Sequence, residues 1–182
     1  MNITNEELDV IDLNKLSNSI LESEFKQYFL DKSGKEHYRL LAYLSTLYSN
    51  KPILDIGTYK GCSSLALSYN SSNTIYSFDI GNYRAIKDVP NNISYIIGNI
   101  LDNSYNDTIL NSPLILLDTH HTGEFERLFF NHLLKLNWKG WLILDDIYLN
   151  DEMVDFWNSI DKNKRDISHI GHFSGTGVVI LS

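Results

Sequence analysis

Two short segments concentrate groups that can move protons or hold a cation: Leu117-Asp118-Thr119-His120-His121 and Leu144-Asp145-Asp146-Ile147. Each ends a short apolar run of the kind that forms a buried strand, so in a parallel sheet both tips open on the same edge. Three carboxylates and two imidazoles would then share one cleft. Crowded carboxylates repel one another unless protonated or bridged, and a divalent ion on Asp118, Asp145 and Asp146 is the simplest resolution. Oxygen ligands point to a hard ion, magnesium first, with manganese or calcium as alternatives. Such an ion acidifies a coordinated hydroxyl, and a neighbouring histidine can take the proton. Which histidine depends on the backbone. A strand continuing past Asp118 would send His120 to the side of Asp118, whereas a turn, signalled by Thr122-Gly123, would bring His121 there instead. The plainer reading makes Asp118 a cap for a helix beginning near Gly123, and Asp145 or Asp146 a cap for a helix at Asp151.

A second constellation lies upstream. Asp55-Ile56-Gly57-Thr58-Tyr59-Lys60-Gly61 follows one apolar strand and precedes a helical pattern, the position at which open α/β sheets bind ligands. The glycine spacing lacks the close first pair of a dinucleotide fingerprint, and no Gly-Lys-Ser/Thr closes a phosphate loop. Asp79 ends the next strand, where a carboxylate can accept both hydroxyls of a ribose. A glycine turn followed by an acid at the second strand implies a nucleoside-containing cofactor. Cys62 follows the second glycine, where a helix N-terminus can acidify a thiol, but a small packed residue is the better reading there. Tyr59 and Lys60 read as loop surface.

The elements that must position these groups follow from the apolar pattern. Strands are expected at Ile53–Ile56, Thr74–Asp79, Ile93–Ile97, Leu114–Asp118, Trp141–Asp145, Ile167–Ile170 and Val178–Leu181. Helices are expected at Ser63–Ser68, Tyr83–Lys87, Gly123–Leu136 and Asp151–Ile160. In the third of these Phe125, Leu128, Phe129, His132 and Leu133 would form the apolar stripe, leaving Glu124, Glu126 and Arg127 on a solvated face. Alternation of strands and helices predicts an α/β fold with a seven-stranded, mostly parallel, Rossmann-like sheet and helices on both faces. The last two strands are too close for a crossover helix and should pair antiparallel. Residues 1–50 read as a helical cap on a core spanning 51–182, together one domain. Within that cap His37-Tyr38-Arg39 reads as helix surface, while His172, beside Gly171, is a possible contact for substrate.

Composition narrows the partners. The 182 residues carry a net charge of −8 with no basic cluster, which argues against a nucleic-acid partner and for a small molecule or saccharide. No apolar run is long enough to span a membrane and no leader pattern is visible. One cysteine allows no internal disulfide and suits the cytoplasm. A homo-oligomer is compatible with the sequence but nothing in it demands one.

Ile53-Leu54-Asp55-Ile56-Gly57-Thr58-Tyr59-Lys60-Gly61-Cys62-Ser63 resembles the first motif of the class I S-adenosylmethionine-dependent methyltransferases, and the likeness in strand and loop order runs from Pro52 to Leu181. The resemblance implies cofactor contacts from Asp55, Gly57, Thr58, Gly61, Ser63, Asp79 and Asp118. It places Asn99 where the family often has an acid beside adenine, with Asp102 nearby. Asp118-x-x-His121 and Asp145-Asp146 look like the metal-dependent O-methyltransferases, those acting on sugar hydroxyls more than the catechol type. On that resemblance His121 is the general base and His120 an acceptor contact. The implied activity is transfer of a methyl group to a hydroxyl of a small molecule or saccharide. The competing readings are a cofactor-binding protein without transferase activity and a different group transfer on the same scaffold.

Overall fold

The computed structural model describes residues 3–182. Seven strands form one sheet: β1 (Pro52–Ile56), β2 (Thr74–Asp79), β3 (Ile93–Ile97), β4 (Leu114–Leu117), β5 (Gly140–Asp145), β6 (Asn163–Asp166) and β7 (Thr176–Leu181), in the order β3-β2-β1-β4-β5-β7-β6. The strands from β3 to β5 pair parallel, while β7 runs antiparallel to both β5 and β6.

Strand alternation divides the core into two layers. Ile53, Ile75, Ile143 and Val178 face one side and pack with α1 (Asn5–Asp9), α2 (Asn14–Ser17), α3 (Ser23–Leu30), α4 (Tyr38–Thr46) and α5 (Cys62–Leu67). Leu54, Ile56, Phe78, Ile115, Leu117 and Leu144 face the other, against α6 (Asn106–Asn111), α7 (Glu124–Lys135) and α8 (Asp151–Ser159). The first four helices thus cap one face of the sheet. Arg39 fastens them: its guanidinium donates to the carbonyls of Leu30, Asp31, Asp9 and Ile11, so it is a suture between helices rather than a free surface side chain.

Two expected elements differ, and one helix buries a different face. Tyr83–Lys87 is not a helix. Its backbone is engaged by the N-terminal chain, with Leu21 N–H donating to Ala85, Lys87 N–H donating to Ser19, and an antiparallel bridge between Ile86 and Ile20. Ile167–Ile170 is largely a 3-10 turn at Ser168–Ile170, and the sixth strand lies just before it at Asn163–Asp166. That strand is a sheet edge of four polar residues, so no apolar run marks it. In α7 the buried stripe is Glu126, Phe129, Phe130 and Leu133, while Leu128 is exposed.

The strand order reverses between β1 and β4, which leaves a crevice at their carboxyl ends. The Gly57 loop and the Asp118 segment meet there. No helix among the described residues is long and apolar enough to cross a membrane.

Candidate active site

The glycine loop is set by backbone chemistry before any ligand is considered. The N–H groups of Gly57 and Thr58 both donate to the carbonyl of Phe78, tying the end of β1 to β2. Gly57 has φ of +102°, and a Cβ there would lie 1.5 Å from the carbonyl oxygen of Asp118. Only glycine lets these two loops touch. Beneath the loop runs a buried polar chain in which Ser77 donates to Asp55 at 2.5 Å and shares a 2.6 Å hydrogen bond with Thr58. Burial pushes the Asp55 carboxyl up to about 7, against the pull of the Ser77 hydroxyl.

A cavity of about 480 Å³ opens above this loop. Gly57, Asp79, Asn99, Asp118, His120 and His121 line it, with Tyr59, Ile80, Tyr83, Ile100 and Phe125 as its apolar and aromatic walls. Asp55, Thr58, Gly61 and Ser63 lie off the wall: Asp55, Thr58 and Ser63 are buried and support the loop from below, while Gly61, at φ +92°, opens α5. Asp79 is oriented by the N–H of Tyr59 at 2.8 Å and of Gly81 at 3.1 Å, which leaves further lone pairs for hydroxyl donors. Asn99 accepts from the N–H of Leu101, and Asp102 caps the 3-10 turn at Asn103–Tyr105 instead of lining the cavity. Cys62 is buried, and that burial pushes its thiol up to about 12, so it is not a nucleophile at neutral pH.

At the opposite wall the chain turns after Asp118. His121 adopts φ of +54°, an uncommon conformation for a residue with a side chain, and neighbouring helices fix it from both sides. Its N–H donates to Glu126 at 3.1 Å, and its carbonyl accepts from the Asn150 amide at 2.8 Å. Glu126 also accepts the Thr119 hydroxyl at 2.6 Å. It is buried, contrary to its expected place on a solvated face, and its spacing with Phe129, Phe130 and Leu133 is the signal that would have shown this. The turn places His121 Nε2 3.3 Å from Asp118 and Nδ1 3.5 Å from Asp146, whereas His120 is exposed at the rim. Burial disfavours the His121 imidazolium, but the Asp118 carboxylate outweighs it, with Asp146 and Asp145 adding to the rise above the usual histidine value.

Neither acidic segment caps a helix. Gly123 opens α7 without a side-chain cap, and Asn150 caps α8 by accepting the N–H of Met153. Asp145 is instead buried against His37, whose Nδ1 lies 3.0 Å from its Oδ1. His37 was expected on a helix surface; nothing in its local sequence marks the contact, which spans 108 positions and depends on the sheet. His172 completes the cluster, with Nδ1 2.9 Å from Asp146 and 3.6 Å from Asp145, and Nε2 3.7 Å from Glu36. Burial alone would raise Asp145, yet the two histidines hold it well below the usual carboxylate range. Burial alone would lower His37, and Asp145 brings it up to about 9.

The donors suit a divalent cation. One ligand atom from each of Asp118, His121 and Asp145 lies within 4.8 Å of the others, and so do those of His37, Asp145 and His172. Asp145 belongs to both sets. Asp146, the third expected ligand, meets the cluster through His172, His121 and the Ser174 hydroxyl that donates to it.

No protein-family model and no curated protein matches the sequence. Solved structures do. An O-methyltransferase from Bacillus cereus in complex with SAH is 16% identical with a TM-score of 0.62, the match covering 98% of this chain and 96% of that one. The O-methyltransferase TomG from Streptomyces achromogenes, in complex with SAM, is 16% identical with a TM-score of 0.59, covering 95% and 92%. SAH-bound Podospora anserina methyltransferase PaMTH1 is 15% identical with a TM-score of 0.58, covering 80% and 77%. The chain has the Rossmann-like fold of these class I methyltransferases.

Proposed function

We propose that this chain, which shares its fold with S-adenosylmethionine-dependent O-methyltransferases, is itself such an enzyme, dependent on a divalent ion and acting on a hydroxyl of a small molecule, saccharides before phenols. The observation that carries the reading is the single cavity lined both by Gly57 and Asp79 and by Asp118 and His121. A nucleoside-binding wall and a proton-accepting wall face the same space.

S-adenosylmethionine, when bound, supplies an electrophilic methyl group on sulfonium. The chain's own part is to hold and orient it. Asp79 would accept the ribose hydroxyls, Gly57 lets the backbone approach, and Asn99 and Tyr83 line the same cavity. A divalent ion held by carboxylates among Asp118, Asp145 and Asp146 would acidify the acceptor hydroxyl. His121, whose backbone is fixed by Glu126 and Asn150, would receive the hydroxyl proton and so free the acceptor oxygen as a nucleophile. Asp118 orients the imidazole and stabilises it once protonated.

The test is transfer of a labelled methyl group from S-adenosylmethionine to a panel of saccharides and phenols, with magnesium or manganese supplied. The reading expects label on an acceptor oxygen and one S-adenosylhomocysteine per methyl. It expects excess chelator to abolish turnover without weakening cofactor binding. Cofactor turnover that leaves no methyl on oxygen would refute it.

A further inference from the structure

Around His172 several oxygens crowd one ring nitrogen. Its Nδ1 faces three oxygens: Ser174 Oγ at 2.8 Å, Asp146 Oδ1 at 2.9 Å and Asp145 Oδ2 at 3.6 Å. One N–H serves one of these well. The His37 ring, nearly perpendicular to that of His172 with centroids 5.6 Å apart, sends its own Nδ1 to the other oxygen of Asp145 at 3.0 Å. Ligand atoms of His37, just before α4, Asp145, at the end of β5, and His172, in the β6–β7 connection, therefore lie within 4.8 Å of one another, with Asp146 beside His172.

The spacing, which serves hydrogen bonds here, also fits a coordination shell. Bonds of about 2.1 Å from nitrogen or oxygen to a first-row ion put neighbouring ligand atoms about 3.0–3.4 Å apart, depending on geometry. The separations of 3.0 and 3.6 Å bracket that range. We propose that the divalent ion of this site is bound by imidazole nitrogen as well as carboxylate oxygen, through His37, Asp145 and His172, with Asp146 holding His172 in place. It is therefore a first-row transition metal rather than magnesium. Imidazole ligands favour iron, cobalt, nickel and zinc, whereas magnesium takes oxygen donors and keeps much of its water. This rests on the divalent-ion reading above and leaves Asp118 and His121 free to face the acceptor.

The test uses the full chain stripped with chelator, then titrated separately with Co2+, Mn2+ and Mg2+. Expected are one site per chain, Co2+ binding at least tenfold tighter than Mg2+, and 14N coupling from bound imidazole in pulsed EPR of the Mn2+ form. His172→Gln should remove part of that coupling and weaken Co2+ at least tenfold, with S-adenosylhomocysteine affinity unchanged. The wild-type spectrum stands whether or not a variant at buried His37 folds. Mg2+ binding as tightly as Co2+, Mn2+ without nitrogen coupling, or no stoichiometric ion would overturn the proposal. So would coupling that survives His172→Gln unchanged and vanishes in His121→Gln, since that moves the ion to Asp118, His121 and Asp145. Labelled-methyl transfer separates the two readings: an oxygen-only ion with transfer intact overturns this inference alone, and a nitrogen-bound ion without transfer overturns only the proposed activity.

Discussion

Gly57 and Asp118, 61 positions apart in sequence, meet so closely at the tips of β1 and β4 that a Cβ on the glycine would lie 1.5 Å from the aspartate's carbonyl oxygen. The positive φ at Gly57 makes any side chain unfavourable a second time. Gly57→Ala must therefore push the cofactor loop away from the Asp118 turn. It should cost at least about tenfold in S-adenosylhomocysteine affinity, or roughly 1.4 kcal/mol, along with a lower melting temperature. Gly98→Ala is the contrast, because its Cβ would meet only the tip of Tyr105 at 3.2 Å and no positive φ is involved. Calorimetry on both variants checks the claim, and equal affinities would refute it.

His121 and His120 should separate kinetically. His121→Ala is expected to lower kcat by about 10²–10⁴, the range for losing a general base, with cofactor affinity nearly unchanged. His120→Ala should cost less, since that side chain is exposed at the rim of the cavity. Single-turnover rates on one acceptor decide the matter, and a larger loss in His120→Ala would reverse the assignment.

The buried Asp55 gives a pH dependence of stability whose sign can be worked out. Its folded pKa, about 7, lies above the unfolded value, so the native state holds the proton more tightly. Its contribution is fully present below the unfolded pKa near 4 and is lost as pH rises towards 7. Asp55→Asn keeps an acceptor for Ser77 and carries no charge. Relative to wild type its stability should rise from pH 4 to pH 7 by on the order of 1–4 kcal/mol and then level off. Denaturant melts at several pH values measure the difference, and a difference independent of pH would show that the Asp55 pKa is the same in the folded and unfolded chain.

Much of this site was legible before the fold was known, for reasons local to the chain. Gly57 and Asp79 declare themselves because a turn residue and a carboxylate each end an apolar strand, and strand ends in a parallel sheet are where sites form. Asp118, Asp145 and Asp146 follow by the same rule. The polar edge strand Asn163–Asp166 was invisible because hydrophobic pattern is the signal, and an edge needs little of it. His37 was hidden for a different reason: its meaning lies entirely in a contact with Asp145 made across the sheet. Glu126 was legible in principle, since it shares one helical stripe with three buried apolar residues.

The central claim, that the cavity above Gly57 is built for an adenosyl cofactor held through Asp79, is tested most directly by calorimetric titration of the wild-type chain with S-adenosylhomocysteine and with NAD, repeated on Asp79→Ala. A buried hydroxyl pair without its acceptor costs about 1–3 kcal/mol, so the variant should bind S-adenosylhomocysteine at least about fivefold more weakly. The account predicts one S-adenosylhomocysteine per chain in the wild type, weaker or no binding of NAD, and that loss in Asp79→Ala. NAD binding as tightly as S-adenosylhomocysteine, or an affinity for S-adenosylhomocysteine indifferent to Asp79, would contradict it.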